Sequence, residues 1–240
     1  FQIPPLTLAT PVQLPFYGGL GLLSALVGFV YIRCFYGMRD KFFRRLTVIP
    51  VSLRPALGGL LLGLLAFFIP QVLGGGYVSI QEAINGQLGL KIMGSLVLAK
   101  IIATSFTISS GGSGGVFAPS LFIGSMLGGF YGDICASSFP TIVTEPAAFI
   151  LVGMGGFFAG VAKTPIAALI MVAEMTGGYS LIVPMMIVSS LAYLILGNVS
   201  LYEKQVATRV DSPAHTGDYA IDIMEHLRVA DALTNDRQVE

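Results

Sequence analysis

Residues 109–124 read SSGGSGGVFAPSLFIG, and their types point to chemistry done by the backbone rather than by side chains. Gly111, Gly112, Gly114 and Gly115 stand beside small hydroxyl residues, and Val116, Phe117, Ala118 and Pro119 lead into an apolar run ending near Leu127. Dense glycine leaves the main chain bare and free to take unusual dihedrals. Pro119 suits the first turn of a helix, where a missing N–H costs nothing. The stretch reads as a loop feeding a helix N-terminus, with apolar sequence on both sides. Inside a membrane, irregular backbone persists only where protein or a watery cavity surrounds it. Free amides and the positive end of the helix dipole would then face that cavity and form an anion site. Glycine- and proline-containing breaks also serve packing alone, and this stretch by itself leaves both readings open. Broken membrane helices often hold substrate.

Other residues offer weaker chemistry. Residues 111–115 match G-x-S-x-G, the pattern of a serine nucleophile at Ser113. That chemistry needs an adjacent base, and the two histidines, His215 and His226, lie in a polar tail. A hydrolase elbow also needs a preceding strand, so an intramembrane serine hydrolase is a remote alternative. Residues 155–164 (GGFFAGVAKT) resemble a phosphate loop, but Val161 and Ala162 separate Gly160 from Lys163 and the motif fails. Lys163 reads as a snorkelling or helix-end residue. Glu174 is a functional candidate by default, being ionisable in an apolar segment; the simpler expectation is pairing or capping near an interface. Tyr202 follows the last apolar run, where position alone suggests an interfacial aromatic; the sharper reading is a phenol donating to a bound anion. Cys34 and Cys135 lie in or beside apolar runs and read as small core residues, with no disulfide framework or metal site.

The elements that must position these groups are membrane helices. The 240 residues are 54% hydrophobic and 11% charged, against about 25% charged in soluble domains. The chain is therefore an integral, polytopic membrane protein, and its zero net charge suggests no nucleic-acid partner. It opens with neither methionine nor a targeting segment and reads as a piece of a longer protein. Residues 1–15, with four prolines, are expected to be a loop, and residues 16–36 a span. Six of the 13 Lys and Arg residues fall within 33–54, placing that end in the cytoplasm. Residues 55–73 should return outward and stop at Gly74, Gly75 and Gly76. A short polar helix is expected over 79–85 and a span over 88–108, interrupted by Lys91, which snorkels, and by Lys100, which faces the bundle interior or a partner.

The helix from Ala118 should run to about Tyr131, followed by a loop over 136–146. Residues 147–162, 166–175 and 181–196 are short apolar helices, and Gly156 and Gly160 have the spacing that permits close helix approach. Segments this short imply tilted, broken and re-entrant helices meeting at mid-membrane. The expected organisation is all-α: a transmembrane unit over 1–201, then a soluble-looking tail over 202–240 with a mildly amphipathic stretch at 219–233.

Taken together, Gly115-Val116-Phe117-Ala118-Pro119, the run from Ala159 through Pro165 to Glu174 and Tyr179, Gly74 to Tyr77, and Ser200-Leu201-Tyr202 resemble the CLC chloride channels and chloride/proton antiporters. The first of these matches the family's GxFxP motif, and the resemblance covers nearly the whole chain. It implies that the amides of Val116 and Phe117 and the hydroxyl of Tyr202 hold a dehydrated chloride ion, with Gly114, Gly115 and Pro119 shaping the loop. It implies the second of two inverted repeats, a homodimer meeting partly through residues 181–196, and no cofactor beyond bound chloride. The family's GSGIP and G-K/R-E-G-P motifs, with the gating glutamate, belong to the first repeat and do not occur here. The implied activity is chloride/proton antiport, with passive voltage- or ligand-gated chloride conduction as the alternative. Residues 202–240 then comprise a last helix entering the cytoplasm and the lead into a cystathionine-β-synthase (CBS) domain.

Overall fold

The apolar runs fold as helices. The computed structural model describes residues 1, 3, 10–206, 208 and 210–215, and among them there is no strand. The chain divides into two compact units, Phe1–Leu201 and Tyr202–Glu240.

In the first unit, α1 spans Leu14–Gly37 and is preceded by a 3₁₀ turn, Pro11–Gln13. This corrects the expected loop at residues 11–15. Pro11 and Pro15 both sit in the first turn of a helical segment, where they start a helix rather than forbid one. Past Gly37 the chain stays helical through a wider π turn, Met38–Phe42, and a 3₁₀ turn, Phe43–Arg45. The basic cluster therefore extends α1, and Asp40 takes ion pairs from Arg39 (2.8 Å) and Arg44 (3.0 Å).

Helix α2 spans Arg54–Phe68 and ends before Pro70, so the expected helix over 55–73 is shorter, with a 3₁₀ turn at Pro70–Val72. Pro70 has no N–H to continue the ladder. Helix α3, Tyr77–Ile84, starts from Gly76 in the left-handed region at φ 75°. Helix α4 is Leu90–Ser109. Helix α5 is Phe117–Ser138, a turn and more longer than the sequence suggested. Its glycines do not end it because they are contact points. Gly124 and Gly128 lie against the carbonyls of Gly153 and Phe149 on α6, Pro146–Ala162. Gly132 would place a Cβ 2.9 Å from the Pro146 carbonyl oxygen. A glycine every fourth residue clears one face, and the two backbones touch.

Helix α6 is buried from Ala148 to Ala162. Gly156 and Gly160 meet Val188 and Ala192 of α8, Ile182–Leu196, as their spacing predicted. Lys163 ends α6 in the left-handed conformation at φ 59°. Its ammonium donates to the Tyr193 carbonyl at 2.7 Å and lies 4.6 Å from the centre of the Tyr193 ring. It thus satisfies an orphan carbonyl at the end of α8. Helix α7 is Pro165–Thr176 and stops at Gly177, φ 63°. The unit closes where the Leu201 amide donates to the Val161 carbonyl (2.8 Å) and the Tyr36 hydroxyl to the Leu201 carbonyl (2.7 Å). Four helical stretches among the described residues are long and apolar enough to cross a membrane: Pro11–Arg45, Val51–Phe68, Leu90–Ser109 and Tyr179–Leu196.

In the second unit no α-helix begins at Tyr202, contrary to expectation. Residues 202–206 form turns, with the Gln205 amide bonded back to the Tyr202 carbonyl at 3.1 Å. This polar stretch offers no apolar face whose burial would offset the cost of nucleating a helix. The amphipathic stretch at 219–233 and the CBS-like lead lie outside the described residues.

Candidate functional site

The site is built by the way α4 ends. Gly111 takes φ 93°, its amide donates to the Ile108 carbonyl, and the Gly112 amide reaches the Thr107 carbonyl at 3.2 Å. This is a glycine-terminated helix end, which turns the chain back on itself. The Ser109 hydroxyl donates to the Phe35 carbonyl at 2.9 Å, so α1 anchors the turn. The loop then runs to Val116, which precedes α5, and the first helical amide bond there is Ser120 to the Val116 carbonyl at 3.1 Å. Among the described residues the amides of Ser113, Gly114, Gly115, Val116, Phe117 and Ala118 donate to no backbone or side-chain acceptor. Pro119 has no N–H to offer. The result is a helix N-terminus with a row of free donors and the positive end of a 22-residue helix behind them.

Gly114, Gly115, Phe117, Ala118 and Pro119 line a cavity of about 440 Å³. Val116 does not line it and is half-buried. Part of the remaining wall is α4, through Lys100, Thr104 and Thr107, and part is the α2–α3 connection at Gly74 and Gly75. Thr104 and Thr107 donate their hydroxyl protons back to the carbonyls of Lys100 (2.8 Å) and Ala103 (3.0 Å). Their protons are committed, and the loop amides are left as the cavity's free donors.

Lys100 faces the bundle interior, one of the two positions open to it from sequence. It is 2% exposed. Its ammonium donates to the Val72 carbonyl at 2.8 Å and the Gly74 carbonyl at 2.7 Å, and lies 4.9 Å from the centre of the Phe122 ring. Among the described residues no carboxylate pairs with it. The signal for this residue was present in the sequence: an ionisable side chain inside an apolar span is functional by default. What the sequence lacked was the cavity it shares with the glycine loop.

The other sequence candidates have these surroundings. Ser113 is exposed and has no hydrogen bond to a base. Glu174 is exposed and accepts from the Tyr179 hydroxyl at 2.5 Å, the pairing expected of it. Cys34 and Cys135 are free thiols, half-buried and buried. Tyr202 belongs to the second unit and is 41% exposed; partial burial raises its phenol above the ordinary value, so it remains a protonated donor.

An all-helical membrane bundle with this motif defines a class, and comparison with known proteins agrees. Residues 1–197 match the family model described as voltage gated chloride channel, and the chain belongs to that family. Among individual relatives, it is 36% identical over 212 residues to the H(+)/Cl(-) exchange transporter ClcA of Cronobacter sakazakii, covering 86% of this chain and 45% of that protein. It is 32% identical over 198 residues to the putative chloride channel protein ClcB-like of Ralstonia nicotianae, covering 81% and 46%. Of solved structures, a slow cyanobacterial Cl−/H+ antiporter superposes with a TM-score of 0.69 at 26% identity, covering 82% of this chain and 47% of that one. A CLC-type fluoride/proton antiporter gives 0.70 at 25% identity, covering 85% and 49%. The chain spans about half the length of the curated relatives it matches.

Proposed function

We propose that the protein containing this chain moves chloride, or a similar small anion, across a membrane in exchange for protons. The observation that carries the reading is the row of free amides at the start of α5, beside a cavity of about 440 Å³. Neutral donors suit transport. Each hydrogen bond contributes about 0.5–1.5 kcal/mol net, and a helix N-terminus adds about 0.3–1 kcal/mol for an anion. An anion held this way is bound firmly enough to shed water and loosely enough to leave. Val116 and Phe117 supply the amides in this proposal, and Tyr202 supplies a phenolic hydroxyl. Gly114, Gly115 and Pro119 let the backbone approach the ion.

Exchange is favoured over passive conduction by the relatives named as exchangers and antiporters. The channel reading is supported by the ClcB-like relative. The assembly is proposed to be a homodimer. Val183, Met186, Leu194 and Ile195 present an exposed apolar face on α8 that a second copy or lipid would cover. The basic end of α1 is proposed to be cytoplasmic, and with it the tail. The test is chloride flux from liposomes containing the full-length protein, with internal pH recorded together. Uphill proton movement driven by a chloride gradient is the expected result. Chloride flux without proton movement would make it a channel, and no anion flux would overturn both readings. Ser113→Ala separates the remote hydrolase: lost peptidase activity in the variant, absent any anion flux in either form, would be its signature.

A further inference from the structure

We infer that Lys100 supplies the positive potential of the anion cavity and sets its apparent affinity for anions; this deepens the transport reading above and rests on it. The ammonium is almost wholly buried, unpaired with any carboxylate among the described residues, and stands on the wall of the cavity that the glycine loop also lines. Its two hydrogen bonds go to neutral carbonyls, Val72 and Gly74, and its third neighbour is the Phe122 ring. All three are uncharged, so they orient the ammonium without cancelling its charge. A buried cation is costly to hold without a counter-ion, and a passing anion is the counter-ion this cavity admits. Because the protons of Lys100 are already directed at the carbonyls and the ring, it acts through space rather than as a ligand. It raises local anion concentration while the neutral amides keep the ion exchangeable. Taken as a sphere, the 440 Å³ cavity is about 9 Å across, and one unit charge acting over ~9 Å changes an anion's affinity about twofold at the dielectric of water and about twentyfold at an effective dielectric of ~20.

The test is the chloride dependence of initial flux in liposomes containing the full-length protein, comparing wild type, Lys100→Met and Lys100→Arg. Each variant is checked for folding by size-exclusion elution and thermal unfolding. The expected result is a chloride KM raised about two- to twentyfold in Lys100→Met, restored to within about twofold in Lys100→Arg, with maximal rate changed less than KM. An unchanged KM in folded Lys100→Met overturns the inference. So does a loss of maximal rate shared by Met and Arg at constant KM, which is the mark of a clamp on the Val72–Gly74 turn. If Lys100→Met does not fold, Thr107→Asp and Thr107→Lys decide, because Thr107 lines the same cavity on the same helix. KM must rise with Asp and fall with Lys, and a shift in one common direction overturns the inference. Wild-type protein without chloride flux would instead sink the transport reading itself.

Discussion

Two glycines of the same loop, three positions apart, should respond very unequally to a single methyl group. At Gly112 an added Cβ would stand 2.6 Å from the Thr107 carbonyl oxygen, and real Cβ atoms are essentially never found under 3.0 Å. An ordinary contact begins at 3.4 Å, so loop and carbonyl must part by 0.4–0.8 Å. The same carbonyl accepts the Gly112 amide at 3.2 Å, and that bond would stretch beyond hydrogen-bond range. Losing it costs about 0.5–1.5 kcal/mol, and the displaced backbone adds strain, giving about 1–3 kcal/mol in all for an overpacked site. At Gly115 an added Cβ meets nothing within 4 Å, and the backbone is not in the left-handed region. Gly115→Ala should stay within about 0.5 kcal/mol of wild type. The functional consequence follows from the stability one. A shift of that size moves the free amides away from the proposed anion position, and Gly112→Ala should lower chloride flux about tenfold, since misplacement by ~1 Å can cost about a hundredfold. The assay is thermal unfolding of the full-length protein in detergent, paired with chloride flux in liposomes. Equal effects of the two substitutions on thermal unfolding, or a larger one at Gly115, would refute the loop geometry.

Other outcomes can be measured alongside it. If Tyr202 supplies the hydroxyl proposed for it, Tyr202→Phe should weaken chloride binding by calorimetry about two- to tenfold, the value of one neutral hydrogen bond; unchanged affinity would overturn that assignment. Burial raises the Tyr202 phenol, so it stays protonated below both its ordinary and its folded value. The deficit of Tyr202→Phe should therefore be constant from about pH 5 to about pH 9, and a deficit that vanished within that window would contradict it. Lys163→Ala should destabilise by about 1–2 kcal/mol through loss of the Tyr193 contacts, while Lys163→Gly should cost about 1 kcal/mol less because it relieves the left-handed backbone. Thermal unfolding of the pair checks the ordering. Gly128→Val should push α5 off α6 at the Phe149 carbonyl and lower stability by more than about 3 kcal/mol, or abolish folding, as read by size-exclusion elution.

Much of this protein was legible in residue order. An 11% charged chain of recurrent apolar runs reads as a polytopic membrane protein, and its breaks lie at glycine and proline because the backbone leaves the helix there. The glycine loop before Pro119 announced a helix N-terminus, and Gly156 and Gly160 announced a close contact. These are local statements, set by dihedral freedom and by the lack of a side chain. The rest depended on neighbours. Residues 11–15 form a helix start instead of a loop because proline is tolerated in a first turn as well as in a loop, so the prolines alone could not choose between them. The glycines of α5 continue the helix because α6 fills the space beside them. Lys100 could not be assigned from its span, because its role comes from the Val72 and Gly74 carbonyls, the Phe122 ring and the glycine loop, which sequence separates and packing brings to one cavity. Sequence alone determined where the backbone would be bare. Only the tertiary structure decided which charge shares a cavity with it, since electrostatic partnership depends on distance in space and not on distance along the chain.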